Sequence, residues 1–75
     1  MRGYILVHTR AGEERDVINQ IKGVHGILRA DATFGPYDLI VEVEAPDLAA
    51  IGKLVYGRVR ATPGVIDTLT CLAVE

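Results

Sequence analysis

The chain has 75 residues, 49% hydrophobic, 24% charged and only 5% aromatic, and its eight Lys and Arg against ten Asp and Glu leave a net charge of −2. That length holds one domain, the apolar content excludes intrinsic disorder, and scattered cations on an acidic chain argue against phosphate-backbone binding as its main task. A lone cysteine, Cys71, excludes an intrachain disulfide, and the longest apolar run, Tyr4–Val7, falls far below the roughly 20 residues that span a bilayer.

The segment from Gly3 to Thr9, with Tyr4-Ile5-Leu6-Val7-His8 at its centre, is β-branched and aromatic and stops at Arg10-Ala11-Gly12, so it predicts a first strand. Glu13 and Glu14 then supply the negative charge that a helix N-terminus favours. Val17, Ile18 and Ile21 form one apolar stripe, which predicts a helix of about 10 residues ending at Gly23. A second extended segment runs from Gly26 to Phe34 and is stopped by Gly35-Pro36. The third strand, Tyr37–Glu44, alternates most clearly: Leu39, Val41 and Val43 on one parity, Asp38, Ile40, Glu42 and Glu44 on the other. Asp47 is placed to cap a second helix whose buried stripe is Leu48, Ile51, Leu54, Val55 and Val59, weakened by Gly52 and Gly57. Pro63-Gly64 breaks it, and Val65–Val74 predicts the last strand.

The order is βαββαβ, and its halves echo each other, since Val17, Ile21, Gly26 and Ile27 recur 38 residues later as Val55, Val59, Gly64 and Val65. Short crossovers and right-handed connections then predict an α+β, ferredoxin-like fold: a four-stranded antiparallel sheet with two helices on one face. The other face is not polar. Tyr4 and Leu6 oppose Ile5 and Val7 in the first strand, and the last strand is apolar at Ile66, Leu72 and Val74 on one parity and at Leu69, Cys71 and Ala73 on the other. Strands apolar on both faces predict a homodimer formed by sheet-to-sheet packing. A domain that buries only about 60% of its unfolded surface also gains most from a second subunit.

Catalytic motifs are missing: there is no nucleophile elbow, phosphate-binding glycine loop, CxxC pair or HExxH helix. His8, His25 and Cys71 lack metal-ligand spacing, so the expectation is no catalytic group, no metal and no cofactor, with the histidines unliganded and Cys71 a small buried hydrophobe. Glu13, Glu14 and Asp47 are explained by helix N-termini, and Glu42 and Glu44 by an exposed strand parity. Asp38 is different, because a carboxylate at the start of an apolar strand has to be paired, capped or used. Two readings stay open for it: it accepts hydrogen bonds from its own turn, or it holds a ligand's ammonium while backbone N–H groups hold the carboxylate. In that turn Gly35 allows close approach or a positive φ, Pro36 stiffens, and Tyr37 offers an amphipathic ring. A plain hairpin connection explains the turn equally well. With no basic segment leading into an apolar stretch at the start of the chain, cytoplasmic residence is the default expectation.

The opening Tyr4-Ile5-Leu6-Val7 strand with Gly12-Glu13-Glu14, Gly26-Ile27, Gly35-x-Tyr37-Asp38-Leu39-Ile40-Val41-x-Val43, and Pro63-Gly64-Val65 before Thr68-Leu69-Thr70 together resemble one family. It is the C-terminal effector-binding module, or RAM domain, of the Lrp/AsnC (leucine-responsive, feast/famine) transcription regulators, and the likeness covers nearly the whole chain. The resemblance implies sheet-packed dimers assembling into tetramers to octamers, with amino-acid effectors bound in clefts between dimers. It carries ligand contacts onto Gly35, Tyr37 and Asp38 in the turn, and more weakly onto Thr68 and Thr70. The family usually has threonine before the glycine; here Phe34 stands there, which bears on the effector's size and polarity. Residues 1–75 are expected to be a single effector-binding domain with no helix-turn-helix and no direct nucleic-acid binding. It is similar to stand-alone RAM proteins that sense a metabolite or mix with a full-length Lrp/AsnC regulator.

Three other readings share the element order or the composition. One is an ACT-like amino-acid sensor; another is a dimeric α+β barrel enzyme of the monooxygenase or isomerase kind, using His8 as acid or base; the third is a structural adaptor that needs no small molecule.

Overall fold

A computed structural model describes residues 1–74. Strand β1 spans Arg2–Thr9, helix α1 Glu14–Ile21, strand β2 Ile27–Ala32, strand β3 Leu39–Glu44, helix α2 Leu48–Leu54 and strand β4 Val65–Leu72. The four strands form one antiparallel sheet in the order β2-β3-β1-β4, which is the expected βαββαβ arrangement with β2 and β4 at its edges.

Alternation sorts the side chains of β1 and β3 between two environments. Ile5 and Val7 from β1, and Leu39, Val41 and Val43 from β3, are fully buried against Val17 and Ile21 of α1 and against Ile51, Leu54, Val55 and Val59 after β3. Burying one such aliphatic side chain is worth about 1.5–3 kcal/mol, so this single layer between sheet and helices carries the fold. The predicted stripe of the second helix holds except at Leu48, which is exposed because it sits in the first turn, before the helix has reached the sheet. Asp47 caps α2 as expected: its Oδ1 accepts from the Ala50 N–H at 2.9 Å.

Several boundaries differ from the sequence reading: β1 begins one residue earlier, at Arg2, and β2 and β4 are shorter than the expected Gly26–Phe34 and Val65–Val74. Helix α1 ends at Ile21 with Lys22 as its C-cap, two residues before Gly23. Strand β3 begins at Leu39, because Tyr37 and Asp38 still belong to the turn. The second helix leaves α geometry at Leu54 and continues as a π-helical turn over Val55–Val59, where the Arg60 N–H donates to the Val55 carbonyl. Gly57 lies inside that widened turn, and Val55 and Val59 stay buried at its two ends, so it keeps the apolar stripe on the sheet.

The internal repeat has a physical counterpart in Gly26 and Gly64, which have φ of +98° and +100° and each precede a strand. A Cβ on Gly26 would stand 3.1 Å from Leu54 Cδ2, and one on Gly64 would stand 2.8 Å from Glu13 Oε1 and 3.0 Å from Val17 Cγ2. Each half therefore uses a left-handed glycine to bring the start of a strand against a helix.

The face away from the helices carries Tyr4, Leu6 and His8 from β1, Ile40 and Glu42 from β3, and Asp67, Leu69 and Cys71 from β4, as the pairings Tyr4↔Cys71, Leu6↔Leu69, Leu6↔Ile40 and His8↔Asp67 require. Cys71 is exposed there, contrary to the expectation of a buried thiol, because within one chain nothing covers this face. The two apolar parities of β4 are likewise both open: apart from Val65 and Thr68, every residue of the strand is exposed. Ile66 does not follow either parity, since the register slips between His8 and Thr9 and leaves it opposite no partner.

Candidate functional site

The turn between β2 and β3, Thr33–Asp38, crosses the end of β1 and is fastened there by every kind of contact it can make. The Asp38 N–H donates to the Val7 carbonyl, and the Thr33 N–H to the Asp38 carbonyl, both at 2.9 Å. The Thr33 hydroxyl donates to the Tyr37 carbonyl at 2.8 Å. Asp38 Oδ2 accepts from the Thr9 N–H at 2.8 Å, so its half-buried carboxylate caps the end of β1 instead of its own turn. That bond uses one oxygen and leaves Oδ1 free.

His8 supplies the rest. Its ring stacks on Tyr37 at a centroid distance of 4.2 Å and an interplanar angle of 10°. Nε2 donates to the Pro36 carbonyl at 2.6 Å and Nδ1 to Asp67 Oδ1 on β4 at 2.8 Å. Both partners are acceptors, so this arrangement is that of the imidazolium, with a proton on each nitrogen. The Pro36 carbonyl first, then the Asp67 carboxylate, raise the His8 pKa above its ordinary 6.5, with Asp38 adding in the same direction. A ring with both nitrogens so engaged offers no lone pair, so a base role for His8 would first need one of these hydrogen bonds broken.

What the turn leaves open is as informative. Among the described residues, no hydrogen bond uses the backbone N–H groups of Phe34, Gly35 and Tyr37. Phe34 is fully exposed at the tip, a large apolar ring with no neighbour to cover it. Gly35 lacks the positive φ suggested for it, and a Cβ there would meet nothing within 4 Å. What the chain shows of it is open space beside its Cα and an N–H without a hydrogen bond among the described residues.

Of the five residues expected to contact a ligand, the structure brings Gly35, Tyr37 and Asp38 together. Thr68 and Thr70 pair with Val7 and Ile5 and so face the helix side of the sheet. There they line a groove with Gly52, Tyr56 and Arg60, whose guanidinium lies 5.0 Å from the Tyr56 ring centroid. Within one chain the turn and these threonines are on opposite faces. His8 entered the sequence reading only as an acid or base and Asp67 not at all; the parity of β1 puts His8 on the face of Tyr4 and Leu6 but does not show that the turn returns there.

No group of three or more His, Cys, Asp or Glu side chains suited to a metal occurs among the described residues, and none of their helices is long and apolar enough to cross a membrane.

Comparison with known proteins places this geometry. Residues 2–75 match the model of the Lrp/AsnC ligand binding domain. An HTH-type transcriptional regulator of Pyrococcus horikoshii, itself uncharacterized, is 30% identical over 60 residues, which are 80% of this chain and 40% of that protein. The chain thus spans less than half of the regulator it matches. Among solved structures, FFRP-DM1 is 32% identical with a TM-score of 0.91 and 97% of each chain covered. A Neisseria meningitidis transcriptional regulator, solved as an L-Met complex, shares the fold at 18% identity with a TM-score of 0.87, over 99% of this chain and 49% of that one. The chain belongs to the Lrp/AsnC ligand-binding domain family.

Proposed function

We propose that this chain is an effector-binding and oligomerising module that takes an amino acid at its β2–β3 turn and serves transcription regulation without chemistry of its own. The observation that carries the proposal is the turn itself. Three unbonded N–H groups, at Phe34, Gly35 and Tyr37, lie next to a carboxylate, Asp38, that keeps one oxygen free. Backbone N–H groups without partners suit a carboxylate, and a fixed carboxylate suits an ammonium. An α-amino acid carries both a few ångströms apart. Tyr37 and Phe34 add apolar surface for a side chain. The family membership and the L-Met complex of the Neisseria regulator support the same class of ligand.

The apolar open face supports the assembly part of the reading: a homodimer formed by packing Tyr4, Leu6, Ile40, Leu69 and Cys71 against their copies, and growth to a tetramer or octamer through other contacts. In such an assembly Thr68 and Thr70 would join Gly35, Tyr37 and Asp38 only if they came from a neighbouring protomer, so the complete site would lie between subunits. A full-length Lrp/AsnC regulator is the further partner this implies.

Thermal unfolding of the chain with each of the twenty amino acids, paired with sizing by light scattering, tests the proposal. A ligand that binds the native state stabilises it, by about 2.7 kcal/mol at a hundredfold excess over Kd, and so raises the midpoint. At least one amino acid should do so and shift the assembly size. If none moves either quantity, the chain is a structural adaptor and the effector reading is wrong.

A further inference from the structure

We infer that His8 is the positioning residue of the effector turn: it fixes the Pro36 carbonyl and the Tyr37 ring to the end of the sheet and braces them against β4 through Asp67. The inference rests on the reading of the turn as the effector site, but the clamp can be observed without any effector.

Three contacts converge on one side chain, from two different elements. The Pro36 carbonyl, at 2.6 Å, is in the middle of the turn; the Tyr37 ring lies flat on the imidazole; and Asp67, at 2.8 Å, is the residue paired with His8 across the β1–β4 ladder. Pro36 has no N–H and its carbonyl has no other partner among the described residues, so His8 is what holds that peptide unit. Orientation of the Pro36–Tyr37 peptide decides where the Tyr37 N–H points, and that N–H is one of the three donors left for a carboxylate.

The clamp depends on two ring protons. A neutral imidazole has one N–H, so on deprotonation either the Pro36 carbonyl or Asp67 loses its donor. The groups facing His8 are Asp67 from β4 and Asp38 and Tyr37 from the turn; both carboxylates favour the charged ring. Because the folded pKa is raised, the clamp is complete below pH 6.5 and is lost as pH rises through the raised value. Effector affinity should therefore weaken on the alkaline side.

Proton NMR of the His8 imidazole, with His25 as an internal comparison, gives the first readout. His8 should titrate above 6.5 and fall in Asp67→Asn, and the Tyr37 ring and the Phe34, Gly35 and Tyr37 amide signals should move with the same midpoint. An unraised His8, or turn signals indifferent to it, would overturn the clamp. The second readout is the affinity of each of the twenty amino acids at pH 5.5 and pH 8.5. Wild type should lose about three- to tenfold, the worth of one hydrogen bond, while His8→Phe, which keeps a ring for Tyr37 but no donor, should bind weakly and alike at both values. A pH dependence undiminished in His8→Phe would also overturn the inference. If no amino acid binds at either pH while the turn still follows His8, the effector reading fails and the clamp stands.

Discussion

Asp38 shows how one carboxylate divides its work. One oxygen caps the N–H of Thr9 at the end of β1, while the other makes no hydrogen bond among the described residues. Substitutions separate these roles. Asp38→Asn keeps an amide oxygen for the Thr9 N–H and removes the charge, so it should leave the melting midpoint nearly unchanged and weaken amino-acid binding. Asp38→Ala also removes the acceptor, and thermal unfolding should show a further loss of about 1–3 kcal/mol for the N–H left without a partner. Equal midpoints for the two variants would contradict the capping role. Phe34 is the residue at which specificity should move. Its ring is uncovered in the single chain, and Phe34→Thr should change which amino acid gives the largest thermal shift without changing the fold. An unchanged ranking across the twenty amino acids would take Phe34 out of the site.

At the scale of elements, two glycines and one cap decide how strands meet helices. Gly64→Ala places a methyl 2.8 Å from Glu13 Oε1 and 3.0 Å from Val17 Cγ2 at a φ of +100°, whereas Gly12, also at positive φ, has nothing within 4 Å. Backbone strain of this kind costs about 1–3 kcal/mol, so Gly64→Ala should lower the midpoint by several degrees and Gly12→Ala by less, since only its φ is unfavourable. The reverse order would refute the packing argument. Asp47→Ala removes the α2 cap and should cost about 1 kcal/mol by the same measurement. The strands, the Asp47 cap and the repeat were legible in the sequence because period, turn residues and caps are local signals. The π turn at Val55–Val59 was not, because an α-helix also puts positions 55 and 59 on one face, so the apolar stripe reads the same for either geometry. His8 escaped for a different reason: positions 8, 36, 37 and 67 meet only after two strand pairings are in register, and nothing near His8 in sequence announces it.

The two faces of the whole molecule differ in what covers them. Its helix side is a closed aliphatic layer, but the opposite face leaves Tyr4, Ile40, Leu69 and Cys71 exposed and Leu6 half-buried, and β4 is open on both sides. The sequence made this face visible through parity alone, and it misjudged Cys71 by assuming the cover that only a second copy would supply. Leu69→Lys puts a charge in the middle of the open face, paired directly with Leu6. Light scattering should show this variant shifted from dimer to monomer, with a lower midpoint that no longer rises with protein concentration. A variant that keeps the wild-type mass would contradict sheet packing as the dimer contact. Assembly and ligand are linked in this account, because Thr68 and Thr70 reach the turn of Gly35, Tyr37 and Asp38 only from another protomer, and a ligand held between copies favours the assembly that completes its site.

Binding of an amino acid at the Phe34–Asp38 turn is open to calorimetric titration. With the amino acid that raises the midpoint most, the wild-type chain should give a saturable heat with no more than one molecule bound per protomer, and Asp38→Asn should weaken binding by at least about tenfold, the loss of a charge-assisted hydrogen bond. Binding of undiminished affinity in Asp38→Asn, or no saturable heat from any of the twenty amino acids with the wild-type chain, would contradict binding at that turn.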